Sequence, residues 1–149
     1  MKFYGVGVQY GRTDDKLDDF IKFDFWCMGH NTHERFENII SKVKVGDVVF
    51  AKSFVPENPK HFYIRAIGFV RDINHLPDNV PDEYKLKHGF SVEWTTEFTK
   101  RLDLEPSETF MPEGFMKGLG NVRTGTIYNE TNNEMILRVV EEMNGPKYN

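Results

Sequence analysis

Two runs between Val48 and Ile73 constrain this chain more than any other feature. VVFAKSF (Val48 to Phe54) and FYIRAIGFVRDI (Phe62 to Ile73) are rich in β-branched and aromatic residues, and only the proline-punctuated VPENPK and His61 separate them. Such side chains fit a pleated surface, and a connection that short lets two strands pair only antiparallel. The chain is thereby committed to a sheet with a long hairpin near its centre. Val45-Gly46-Asp47 leads into the hairpin. Gly46 can take a positive φ, and Asp47 can accept hydrogen bonds from backbone amides and fix the entry to the strand. Both jobs are structural.

Around the hairpin, FYGVGVQY (Phe3 to Tyr10) reads as a first strand whose glycines allow a bulge or a close backbone approach. Asp14 to Asp19 reads as an acidic, solvated stretch. FDFWCMGHNTHERF (Phe23 to Phe36) follows as the rim of a pocket running into a helix. Asn31 and Glu34 are spaced for capping there, and Phe36, Ile39, Ile40 and Val43 recur at helical intervals. Asn74 to Glu83 is a loop, HGFSVEWTTEF (His88 to Phe98) a strand, and LEPSETFMPEGFMKGLGNVR irregular. TGTIYNE gives a last strand. Glu134 to Met143 gives a helix with Ile136, Leu137, Val140 and Met143 on one face. Hairpin-length links between the central strands favour a small mixed or antiparallel barrel with flanking helices, in the α+β class, over a doubly wound parallel sheet.

At 149 residues the chain fits one domain, 1–149, and its 39% apolar content can fill one core. No apolar run reaches the roughly 20 residues of a membrane span, and MKFYGVGVQYGRTDD lacks the apolar block of a signal peptide. A cytoplasmic protein with no membrane partner is expected. A net charge of −4 argues against indiscriminate binding to nucleic-acid backbone, which needs Lys and Arg to neutralise phosphates. Only residues 35–101, with 11 basic and 9 acidic side chains, can offer a basic face.

Three chemical readings compete for the Phe23 to Phe36 stretch. Cys27, His30 and His33 are spaced like metal ligands, but a closed zinc site needs four, and no second Cys/His pair completes the set. A Cys27 nucleophile is the second reading. Its neighbours Trp26 and Met28 point instead to a small buried hydrophobe. With no Gly-rich phosphate loop, nucleophile elbow or paired-carboxylate motif, there is no strong enzymatic signature, and neither metal nor cofactor is expected. The third reading is an aromatic pocket. Phe25 and Trp26 stand before a helix N-terminus, and Trp94 and Tyr128 on later strands supply further flat faces. In a chain with 13 Phe, 6 Tyr and 2 Trp, any single ring is more often core.

The run KVKVGDVVFAKSFVPENPKHFYIRAIGFVRDI resembles the middle of a PUA-like barrel, in particular the EVE group, neighbours of the YTH and ASCH domains. The likeness rests on an ordered set: the Val-Gly-Asp turn, the strand VVFAKSF, and the Gly-x-Val step within Ile67-Gly68-Phe69-Val70. FSVEWTTEFTKRLDL and TGTIYNETNNEMILRVVEEM resemble the segments that follow in that group. The resemblance implies a partly open barrel whose pocket accepts one base, often modified, from DNA or RNA. It implies base contacts from Phe25, Trp26, Ser53, Phe54, Trp94 and Thr95, and phosphate contacts from His30, Lys52, Arg65 and Lys100. It also leaves open two other functions. One is an ASCH-like ribonuclease using His30 or His33 with Lys52. The other is a nucleotide-sensing or protein-interaction module of a defence or phage system, with a protein partner suited to the acidic flanks.

Overall fold

The computed structural model describes residues 1–10, 14–29, 34–55, 58–102, 127–131 and 133–144. The anticipated hairpin is its spine. Strand β5 (Val48–Val55) runs antiparallel to β6 (Asn58–Asp72), which in turn pairs antiparallel with β7 (Gly89–Leu102). Around them lie β1 (Phe3–Val6), β4 (Phe25–Cys27) and β8 (Ile127–Glu130), giving a six-stranded sheet in the order β4-β7-β6-β5-β1-β8. β1 is parallel to β5 and antiparallel to β8, so the sheet is mixed. A separate two-stranded ribbon joins β2 (Gln9–Tyr10) to β3 (Asp14–Asp15).

The Val45-Gly46-Asp47 turn behaves as its residues dictate. Gly46 sits at φ 92, and Asp47 accepts from the Lys44 amide at 2.8 Å and the Lys2 amide at 2.9 Å. One carboxylate therefore ties the start of β1 to the start of β5. These two strands lie side by side in parallel, and the fixed entry sets their register, Phe3 against Val48.

Register shifts along β6 and β7, between Ile64 and Ala66, Ile67 and Gly68, and Val70 and Asp72, add local twist. The sheet curls into a half-barrel. The curl brings edge strand β4 round to the chain beyond β1, where the Trp26 indole donates to the Gly7 carbonyl at 2.9 Å. A first core fills the concave side with Tyr4, Val6, Trp26, Val49, Val70 and Phe90 among others. The other face carries a second core, Val48, Phe50, Ile64 and Ile67, covered by Met135 and Val139 of helix α3 (Asn133–Asn144). Near-continuous apolar sequence in VVFA follows from burial on both faces.

Several local expectations change. The acidic stretch is not wholly solvated: helix α1 (Leu17–Lys22) forms within it, burying Leu17 and Phe20 one turn apart and placing Asp18 and Asp19 at its positive end. Phe25–Cys27 is a buried strand, not a rim. All three of its residues are fully covered, with Phe25 opposite Ser91 and Trp26 opposite Phe90 on β7. The next helix, α2 (Glu34–Ile40), lets Ile39 and Ile40 pack on the first core, with Val43 buried just beyond it; Asn31 lies outside the described residues. α3 occupies the expected span but turns Met135 and Val139 inward and leaves Leu137 59% exposed. The sequence holds two overlapping apolar stripes there, and the one that meets the second core is offset by a residue. The irregular Gly/Pro-rich stretch falls within 103–126, outside the described residues. Among the described residues no helix is long and apolar enough to cross a membrane.

Candidate functional site

Where α1 hands the chain to β4, the backbone makes a turn that few side chains tolerate. Phe23 closes the helix, its amide bonded to the Asp19 carbonyl at 3.0 Å. Asp24 then takes φ 56, a left-handed conformation that Asp visits more readily than most residues. Its carbonyl accepts from the Val92 amide at 3.0 Å, which locks the turn against β7. The consequence is a fixed presentation of Phe23 and Asp24 beside Ser91 and Glu93.

A groove of about 460 Å³ opens at this corner, walled by Phe23 and Asp24 on one side and by Ser91, Val92 and Glu93 on the other. Arg71 at the end of β6, with Pro77 and Asn79 from the loop that follows, completes the lining. Its volume falls in the ~300–1,000 Å³ range of small-molecule sites. Arg71 pairs with Glu93 across the β6–β7 ladder, both side chains about half exposed. A pair that accessible rearranges at little energetic cost. Beneath the groove, Trp94 is half-buried and donates its indole N–H to the Phe25 carbonyl at 3.2 Å. Among the described residues the groove thus offers one aromatic ring, two carboxylates, an amide, a hydroxyl and a guanidinium, with the Trp94 indole one residue beyond its wall.

A second polar cluster lies within the fold. Lys52 is fully buried on the face that carries the second core, and its Nζ donates to the Tyr128 hydroxyl at 2.7 Å. Burial pulls the Lys52 ammonium down to about 7, while the nearby Glu130 carboxylate, itself 2% exposed, acts to raise it. Burial and Glu130 together push the Tyr128 phenol well up. Tyr128 reaches Lys52 by lying across β1 at Gly5: a Cβ there would stand 2.3 Å from its Cζ. The early glycines therefore do serve a close approach, of a ring to the backbone.

The sequence-derived site residues distribute as follows. Phe25 sits in an aromatic cluster, its centroid 5.0 Å from both Phe20 and Tyr84, and Trp26 stacks at 5.4 Å on Phe90 with no exposed surface. Trp26 and Trp94 both pack on the first core. Thr95 is exposed and donates to the Ile67 carbonyl at 3.3 Å. Arg65 pairs with Asp15 of the β2–β3 ribbon. Ser53 and Phe54 lie on β5 opposite Tyr63 and Phe62, and Lys100 lies on β7 opposite Ile64. His30 and His33 are outside the described residues. Cys27 is buried with its sulfur 3.0 Å from the Tyr10 hydroxyl, and burial pushes its thiol up to about 12. It is a small core residue that stays protonated near neutral pH. Among the described residues no group of three or more His, Cys, Asp or Glu side chains can hold a metal ion.

What the sequence reading brought together was the pair of segments: Phe25 and Trp94 are in direct contact through the indole hydrogen bond. What it missed were the residues beside them. Phe23 and Asp24 precede Phe25, and Ser91 and Glu93 precede Trp94. The available signal was Asp24, a charged residue between two aromatics: Phe25 and Trp26 are buried and Phe23 is partly buried against the first core, while Asp24 is exposed.

Compared with models of known protein families and with curated protein sequences, the chain matches none of them. Among the described residues the architecture is that of a mixed α+β protein built on a curled six-stranded half-barrel sheet with three short helices.

Proposed function

We propose that this chain is a binding module of the PUA-like, EVE-related kind that holds a single nucleobase, plain or modified, from DNA or RNA, without transforming it. The observation that supports this is the groove at the α1–β4 turn. It sets the Phe23 ring beside the hydrogen-bonding side chains of Asp24, Asn79 and Ser91. Base readers combine those two kinds of contact: a flat face for stacking, worth about 1–3 kcal/mol per base, and polar groups for the base edge. The ordered set of Val-Gly-Asp turn, central hairpin and closing strand and helix adds to the reading, because it resembles the EVE arrangement.

Titration with matched plain and base-modified oligonucleotides at low salt tests it, with Trp94 fluorescence as readout. Binding of an oligonucleotide with a fluorescence change that Phe23→Ala removes is the expected result. No binding to any oligonucleotide refutes the proposal.

A further inference from the structure

We propose that the groove selects guanine, through the carboxylate of Asp24. This rests on the base-binding reading above and narrows it to one ligand class.

The argument starts from what Asp24 is doing. Asp24 is held at φ 56, where Asp is one of the few non-glycine residues found, and it stands in the lining of the groove. The Asp24 backbone is fixed from two sides, by the end of α1 through Phe23 and by the Val92 amide through its own carbonyl. Its carboxylate is therefore presented from a rigid base next to the one aromatic ring of the groove. A carboxylate accepts hydrogen bonds and donates none.

Among the common bases, guanine alone carries two adjacent donors on its pairing edge, N1–H and the N2 amino group. Adenine and cytosine place an acceptor beside their amino group, and uracil flanks its single N–H with carbonyls. Two parallel N–H to carboxylate bonds therefore fit guanine and leave each of the others with an acceptor facing an acceptor. A guanine held this way keeps O6 and N7 as acceptors, and Arg71 is the one cation of the lining; a guanidinium pairs with that edge bidentately. Glu93, which pairs with Arg71, is about half exposed, so the guanidinium can leave it for a base at little cost. Even with the Lys22 ammonium 5.3 Å from the Phe23 ring centroid, two carboxylates stand against two cations among the described residues, so the groove has no surplus positive charge for a phosphate and the base is what it reads.

Nucleoside binding by calorimetry separates this from the broader reading. Guanosine is expected to bind at least tenfold more tightly than adenosine, cytidine or uridine. Inosine, which lacks only the N2 amino group, is also expected to bind at least tenfold more weakly than guanosine, because a site built around a hydrogen bond rejects the analogue without it. Asp24→Asn tests the residue: asparagine also tolerates positive φ, so the turn survives while one acceptor becomes a donor. That variant is expected to lose the preference for guanosine over inosine. Equal binding of all nucleosides, no binding of guanosine, or an unchanged preference in Asp24→Asn each overturns the inference. The oligonucleotide titration with Phe23→Ala decides the base-binding reading independently.

Discussion

Replacing Gly5 by alanine tests the account of the second core most directly. The new Cβ would lie 2.3 Å from Tyr128 Cζ and 2.5 Å from its hydroxyl oxygen. β1 is held by β5 on one side and β8 on the other, so the ring moves and the backbone does not. Displacing the ring breaks the 2.7 Å hydrogen bond from Lys52 and the edge-to-face contact with Phe50 at 6.4 Å. Losing an acceptor for a buried amine costs about 1–3 kcal/mol. The aromatic contact adds about 0.5–1.5 kcal/mol. Against these, alanine restricts the unfolded chain and returns about 0.4–1 kcal/mol. The net expectation is a loss of about 0.5–4 kcal/mol, read from urea denaturation followed by tryptophan fluorescence. Tyr128→Ala removes the obstacle, so in that background Gly5→Ala should be neutral or slightly stabilising. An equal penalty in both backgrounds, or none in the parent, would refute the reasoning.

Other outcomes follow from single features. The folded chain releases the Lys52 proton at about 7, far below the ~10.4 of an unfolded lysine, so between those values the unfolded state binds more protons and stability rises with pH. From pH 7 to 8, before the unfolded thiol and phenols titrate appreciably and oppose it, the rise should be about 1 kcal/mol. Lys52→Met should flatten it, and an unchanged slope would show that Lys52 is not its source. Gly46→Ala meets no neighbour within 4 Å but must hold φ 92, so it should cost about 1–2 kcal/mol in urea unfolding, with Gly46→Asn costing less. Native Cys27 should react with a disulfide reagent orders of magnitude more slowly than the urea-unfolded chain, because its thiol is buried and protonated; equal rates would place it at the surface.

The parts of this fold that could be read in advance are those fixed by local chemistry. Gly46 and Asp47 do what a glycine and an aspartate do at a strand entry, and the two apolar runs on either side of VPENPK pair because so short a link leaves them adjacent and antiparallel. The parts that could not be read depend on what packs where. Leu17 and Phe20 make a helix out of an acidic stretch only because the first core lies beneath them. Met135 and Val139 outrank Leu137 only because the outer face of β5 and β6 receives them.

Lys52 shows how the two kinds of information interact. By its charge alone it is a candidate phosphate contact. By its neighbours it is something else: VVFA ahead of it does not alternate, and a strand apolar on both parities is covered on both faces. Any residue continuing that strand inherits one of the two interiors, and Lys52 shares the parity of Val48 and Phe50. A lysine so placed must have polar company, and β8 supplies it, with the Glu130 carboxylate nearby and a ring long enough to cross β1. Tyr128 is that ring, and Gly5 is the space it needs. Lysine, glycine and tyrosine lie far apart in sequence, yet the glycine makes room for the tyrosine that meets the lysine, and this becomes visible only once β1 is known to lie between β5 and β8.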